Sequence, residues 1–244
     1  MSAAALPMYA RPQTEAAQAR LWAAMRAHGW DGVEDAPTKL GAPGDLWDFW
    51  GSPDLIFGQT CGLPYRLMTN RPSLLGAPTH PLDLTPGTYQ SAVVTRHGDP
   101  RRVEDLSHAP IAINEPRSQS GWAAAWDAGL GRGPVRATGS HRASAQAVAD
   151  GRSDVATIDV VTWQMLKRWE PALTEPLQEV DRTREYPALP FITRIADVTG
   201  LRDALRHGVA TLSTKDKDTL LLSGIADVRE EDYLALPNPP TPHI

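Results

Sequence analysis

The chain has 244 residues, of which 41% are hydrophobic and 22% charged, with a formal net charge of -5. This is the composition of an ordinary globular chain long enough for a full core, and without a basic stripe it excludes a nucleic-acid partner. Cys61 is the only cysteine, so an internal disulfide is excluded. No CxxC or His/Cys cluster points to a structural metal, and no apolar run approaches the ~20 residues that span a bilayer.

From the N-terminus, residues 3–9 read as a short apolar strand ending at Tyr9. Met1 to Ala10 shows neither a basic n-region nor a long apolar core, so no secretory leader is read there. The expected location is cytoplasmic for the chain as written, and periplasmic if a leader has been removed. Thr14 suits the N-cap of a helix through Trp22 and Met25, with Gly29 beyond its end. Gly44 to Trp50 reads as a short helix. Asp54 to Phe57 reads as a buried strand that runs into Gly58-Gln59-Thr60-Cys61-Gly62.

Residues 70–88, rich in Pro, Gly and Thr, read as connection. Thr88 to Arg96 is a strong strand pattern of β-branched residues. Glu104 to Leu106 reads as a helical turn. Ala109 to Asn114 is the next buried strand, leading through Glu115-Pro116-Arg117-Ser118-Gln119-Ser120-Gly121 to a helix from Trp122 to Leu130. A short strand at Pro134 to Thr138 leads through Gly139-Ser140-His141 to a helix ending near Asp150. A buried strand follows at Val155 to Ile158, then Asp159 and a helix from Val161 to Trp169. Residues 170–187 read as a return to the first half. Phe191 to Arg194 starts a further element, and helices are expected at Ile195 to His207 and Lys215 to Leu222. The Pro-rich tail from Pro237 reads as a loosely docked end.

Strands alternating with helices give an α/β fold with a parallel sheet. The segment 90–185 has its own βαβα run inside two outer segments. Two lobes are therefore expected: a discontinuous outer lobe of residues 1–87 and 188–244, and a continuous inner lobe of 88–187. Ligands in such sheets bind beyond the strand C-termini.

Two junctions carry the chemistry. Ser118-Gln119-Ser120-Gly121 and Thr138-Gly139-Ser140-His141 each follow a buried strand and open a helix. A helix start offers about four unpaired N–H donors and roughly +0.5 charge, which together make an anion site. Ser and Thr at such starts are also simple N-caps, and no GxxxxGK[ST] loop is present. Gln59 and Thr60, after a buried strand, are candidates for lining a ligand cleft. Asp159 suits either a cleft acid or the N-cap of the helix at 161. Arg117 suits a charge-assisted contact to the anion or a solvated position. Cys61 has no neighbouring base in sequence and reads as a small buried hydrophobe.

The segments GQTCGLPY (58–65), GTYQSAVVTR (87–96), NEPRSQSGW (114–122) and TGSHRASAQAVADGRSDVATID (138–159) resemble the phosphate/phosphite/phosphonate-type substrate-binding proteins of ABC transporters. The resemblance implies a two-lobed type 2 periplasmic-binding-protein fold. Each lobe would be a mixed, mostly parallel sheet flanked by helices, with the ligand cleft between the lobes. It implies that Ser118, Gln119, Ser120 and Gly121 hold the anion, with Ser140 and His141 beside it. It further matches Tyr9 to the aromatic after the first strand and Tyr89 to the tyrosine before the hinge strand. Asp159 would correspond to the acid that meets an amine in amine-carrying phosphonate binders.

The function expected is therefore binding of a small oxyanion by a monomer, without a cofactor or catalytic residue. An ABC permease would be the partner if the chain is exported. The rival reading is a lyase- or dehydratase-like enzyme on the same fold, with Asp159, His141 or Cys61 as its acid, base or nucleophile.

Overall fold

The structure, a computed structural model, describes residues 3–244 and divides into two compact units. Unit 1 comprises the chain up to Thr88 and Pro187–Ala235; unit 2 comprises Tyr89–Tyr186 and Leu236–Ile244.

In chain order, unit 1 begins with β1 (Ala3–Ala4), α1 (Glu15–His28), α2 (Leu46–Gly51), β2 (Leu55–Gln59), α3 (Gly62–Leu67) and β3 (Ser73–Thr79). The chain crosses at β4 (Thr88–Tyr89). Unit 2 then runs β5 (Ser91–Arg96), β6 (Ile111–Ile113), a π turn (Gln119–Ala123) continuing into α4 (Ala124–Asp127), β7 (Val135–Ala137), α5 (His141–Ala149) and β8 (Val155–Asp159). It continues through α6 (Val160–Trp169), α7 (Pro171–Thr174) and β9 (Leu177–Arg182). The return crossing is β10 (Tyr186–Pro187), which pairs with β4. Unit 1 is completed by β11 (Phe191–Thr193), α8 (Val198–Thr211), α9 (Thr214–Leu220), β12 (Gly224–Ala226) and α10 (Glu230–Leu234).

Both sheets are mixed. Unit 1 has the order β1-β2-β11-β3-β12 and unit 2 the order β7-β6-β8-β5-β9. Parallel pairing joins β1 to β2, and β6 to both β7 and β8. The strands that follow each crossing, β5 and β11, enter antiparallel to their neighbours. Helices cover both faces of the unit 1 sheet. Leu21, Trp22 and Met25 of α1 meet Leu201 and Leu205 of α8 in one core, where the Trp22 and Phe57 rings stack at 5.6 Å. Phe49, Trp50, Tyr65 and Tyr233 from α2, α3 and α10 fill the other. In unit 2, Ala145, Val148, Trp163 and Leu166 cover one face, and Trp122, Ala125 and Leu130 the other.

Several expectations are corrected. The first strand stops at Ala4 and Met8–Tyr9 form a turn, because Thr14 Oγ1 reaches back to Tyr9 O at 2.9 Å. The segment read as connection contains β3. Its Pro78 is tolerated because β11 pairs only as far as Gly76, so an N–H missing on that side leaves no ladder acceptor unmet. The strand 88–96 breaks at Gln90, whose carbonyl accepts from Val160 N–H. Residues 177–182 stay in unit 2 as edge strand β9, whose charged, half-exposed pattern hid it. The helices α3 and α10 and the strand β12 were not anticipated. The tail groups with unit 2 rather than with the outer segments: Trp122 Nε1–H donates to Pro240 O at 2.7 Å and Pro242 is buried. A segment whose prolines carry no N–H leaves few donors to satisfy when it lies down on a surface.

Candidate functional site

The chemistry of unit 2 collects where two adjacent parallel strands end. β6 and β7 pair in parallel with Ile113 opposite Ala137, so the turns that follow them emerge at the same sheet end. Gly139 N–H donates to Asn114 O at 2.8 Å, and Thr138 N–H to Ile113 O at 2.9 Å. The two turns are thus tied to each other by backbone as well as by register.

After β6, Ser118 takes extended backbone (φ -87°, ψ 135°) and caps the helix, its Oγ accepting from Gly121 N–H at 3.0 Å. The helix opens as a π turn: Ser118 O accepts from Ala123 N–H at 3.0 Å as well as from Trp122 N–H at 3.2 Å. Such wide turns occur often at functional sites. The carbonyls of the turn are held from behind. Ser91 Oγ–H on β5 donates to Ser120 O at 2.9 Å, and Thr157 Oγ1–H on β8 donates to Gly121 O. The first-turn N–H groups of a helix have no acceptor in a preceding turn, so this arrangement fixes a donor-rich start. Gly121 is required by packing: a Cβ there would collide with Asn114 Oδ1. That oxygen is buried and accepts no hydrogen bond among the described residues.

After β7, Ser140 caps α5 through Oγ, which accepts from Ala143 N–H at 3.1 Å. The cap starts the helix at His141 and brings its Nε2 to 2.8 Å from Ser120 Oγ. Ser120 Oγ also lies 3.4 Å from Ser118 Oγ. Ser118, Ser120 and His141 therefore form one hydrogen-bonded group, with Gln119 and Gly121 in the same turn. Gln119 and Ser120 are buried, whereas Ser140 and Arg117 are exposed.

The other residues singled out in the sequence stand outside this hydrogen-bonded group, Asp159 at the same sheet end. Asp159, opposite Ser91 in the sheet, is buried and caps α6, its Oδ1 accepting from Thr162 N–H at 2.8 Å. Tyr89 is fully buried with its ring 6.3 Å from that of Tyr186. Cys61 is buried at the start of α3.

In unit 1, Gln59 and Thr60 stand at the end of β2. Gln59 Nε2–H donates to Leu189 O at 3.1 Å. Thr60 is fully buried, and its Oγ1 has no hydrogen-bond partner among the described residues. Tyr9 is half-buried, its ring edge-on to His80 at 6.1 Å. His80 was missed in the sequence because it follows β3, which lies in the stretch read as connection. Its Nδ1 lies 2.6 Å from Leu221 O. A carbonyl only accepts, so Nδ1 carries the proton. Nε2 is then a bare acceptor, buried and without a partner among the described residues. Burial holds the imidazole neutral, pushing its pKa down to about 4 against the opposing effect of the Leu221 hydrogen bond. Tyr9, Gln18, Gln59 and His80 line one pocket with Leu21 and Phe191.

Unit 2 holds a further polar group that sequence reasoning missed. Asp127 Oδ2 accepts from Arg184 Nε–H at 2.6 Å and from Tyr186 O–H at 2.7 Å. These side chains, Gln119 and Trp126 line a pocket with tail residues 236–239. Among the described residues no group of His, Cys, Asp and Glu could hold a metal ion, and no helix is long and apolar enough to cross a membrane.

A family model described as "ABC transporter, phosphonate, periplasmic substrate-binding protein" matches residues 57–232. No curated protein matches the chain in sequence. Among solved structures, the chain is similar to a binding protein component of an ABC phosphonate transporter from Pseudomonas aeruginosa, with a TM-score of 0.71 and 14% identity over 96% of this chain and 83% of that one. It is also similar to PhnD1 from Prochlorococcus marinus in complex with methylphosphonate, with a TM-score of 0.71 and 16% identity over 95% of this chain and 94% of that one. A Xanthomonas citri protein bound to ATP gives a TM-score of 0.65 and 13% identity over 95% of this chain and 93% of that one. At these identities the solved structures speak for the fold.

Proposed function

The chain belongs to the family of periplasmic phosphonate substrate-binding proteins of ABC transporters, and from that premise we propose that its ligand is a small oxyanion of the phosphonate, phosphite or phosphate class, held on unit 2 by the Ser118–Gly121 turn and His141. The family is a substrate-binding component of transport and not an enzyme. The Ser120–His141 pair, which has the form of a nucleophile and its base, is accordingly read as a pair of hydrogen-bond donors.

The observation that carries the reading is the 2.8 Å approach of Ser120 Oγ to His141 Nε2 at the mouth of a capped helix start. Ser118 Oγ accepts from Gly121 N–H, which leaves its own proton to donate. With His141 Nε2–H donating to Ser120 Oγ, the Ser120 O–H and N–H join the Ser118 proton in a donor set that suits an oxyanion and needs no lysine. Ser140 enters as the cap that presents His141. Gly121 enters as the close approach that lets the turn fold. Tyr9, Gln59 and Thr60 of unit 1 and Tyr89 of unit 2 are further proposed ligand residues. Asp159, committed to the α6 cap, is proposed to support the site rather than to meet an amine. Delivery to an ABC permease in the periplasm follows as the proposed role, with the protein acting as a monomer.

Calorimetric titration with methylphosphonate, phosphite, phosphate and sulfate tests this. Saturable binding of at least one of the first three, weakened by Ser120→Ala, is expected. Binding of none, or binding indifferent to Ser120, contradicts it.

A further inference from the structure

Unit 1 has another pocket, about 510 Å³ in volume, between the start of β3, the first turns of α8 and the start of α10. Ser73 at its edge opposes Thr193 while Gln59 opposes Phe191, so the pocket lies at the sheet end away from Gln59. Two arginines and one acid line it. Arg71 Nε–H donates to Glu230 Oε1, and its Nη1–H to Met68 O at 3.2 Å. Arg202 is half-buried and makes a single hydrogen bond among the described residues, Nη2–H to Leu74 O at 3.0 Å, with no carboxylate in ion-pair reach. Leu74 also lines the pocket, so this bond pins the guanidinium to the wall. Burial, then the Glu230 charge, pushes the Tyr65 hydroxyl up to about 12, so it adds no charge near neutrality. Glu230 offsets Arg71, which leaves one positive charge in excess. Leu74, Val198 and Val228 supply half-buried apolar wall around it. A planar guanidinium with unspent N–H groups suits a bidentate carboxylate, and the apolar wall gains from being covered. A volume of this size is that of a small organic ligand. An excess of one charge matches a monoanion, whereas a dianion would carry surplus charge beside Glu230.

We infer that this pocket is a second binding site, for an organic monocarboxylate with an apolar body, and that Arg202 holds the carboxylate. The body lies against Leu74, Val198 and Val228. The site is built from unit 1 alone and does not rest on the oxyanion reading of unit 2.

The test is calorimetric titration with three probes: 4-phenylbutanoate, its primary amide, and acetate. The amide keeps the body without the charge, and acetate keeps the charge without the body. A charge-assisted hydrogen bond corresponds to about 10- to 150-fold in affinity. 4-Phenylbutanoate should bind saturably and tighter than the amide by that factor, with acetate also weaker. Arg202→Gln retains a donor toward Leu74 O and loses the charge. It should bring 4-phenylbutanoate down to the level of the amide and leave methylphosphonate binding unchanged. If that variant does not fold, the methyl signals of Val198 and Val228 in the unaltered protein decide: they should shift with 4-phenylbutanoate and stay put with acetate. No binding of 4-phenylbutanoate, binding equal to that of the amide, or unmoved valine methyls overturns the inference and leaves the oxyanion reading standing. Binding that Ser120→Ala weakens and Arg202→Gln does not would put the carboxylate on unit 2 and overturn the inference as well. Failure of methylphosphonate, phosphite and phosphate to bind overturns the oxyanion reading alone.

Discussion

Ser120 Oγ and His141 Nε2 lie 2.8 Å apart although 21 residues separate them. The contact is made by the sheet: parallel pairing of β6 with β7 brings two strand-to-helix turns to one end. A charge-assisted hydrogen bond is worth about 1.5–3 kcal/mol, so Ser120→Ala and His141→Ala should each weaken oxyanion binding by about 10- to 150-fold. Ser140→Ala removes a cap instead. It should cost about 1 kcal/mol of stability and change affinity less than Ser120→Ala. Calorimetry and urea denaturation on the three variants separate the two roles.

Gly121→Ala forces a methyl group against Asn114 Oδ1. Overpacking of this kind costs about 1–3 kcal/mol, read as a fall in the urea midpoint. In an Asn114→Ala background the same change should cost less. An equal loss in both backgrounds would remove Asn114 as the reason for the glycine.

His80 makes unit 1 sensitive to acid. The folded imidazole titrates at about 4 against an ordinary value of 6.5, so between those values the unfolded chain binds more protons. The stability contribution is complete above the ordinary value and is lost as the pH falls through that window. Urea stability should therefore drop between pH 7.5 and pH 4.5, and His80→Asn should drop less. Parallel losses would show that other groups govern the acid limb.

The fold was legible in the sequence where the apolar pattern was strong. Ile111–Ile113 and Val155–Asp159 are wholly buried strands, and Gly29 ends α1 with φ 80° as its position suggested. Strand β3 was not legible, because Pro78 and Gly76 look like connection until one sees that β11 stops short of Pro78. Edge strand β9 was hidden by its charges for the same kind of reason. At the site, Ser118, Ser120 and His141 were marked by their place after buried strands. Ser91 and Thr157, which hold the turn from behind, sit mid-pattern in strands and carry no local signal. Asp159 was open between cap and cleft acid, and its Oδ1 serves the cap. His80 was invisible together with the strand that positions it.

The tail contributes through Trp122, whose indole N–H donates to Pro240 O. Removing residues 237–244 should cost about 1 kcal/mol for that hydrogen bond and shift tryptophan emission to the red. The shift should be absent in Trp122→Phe. Unchanged emission and midpoint would show that the tail contributes nothing to unit 2.

The central claim is that the Ser118–Gly121 turn and His141 hold an oxyanion, and thermal or urea denaturation with added methylphosphonate tests it most directly. At 100 times its dissociation constant, a ligand that binds only the folded chain adds about 2.7 kcal/mol of stability. The account predicts a gain of that size for the unaltered protein, largely lost in Ser120→Ala at the same concentration. No gain with methylphosphonate, phosphite or phosphate, or an equal gain in Ser120→Ala, would contradict it.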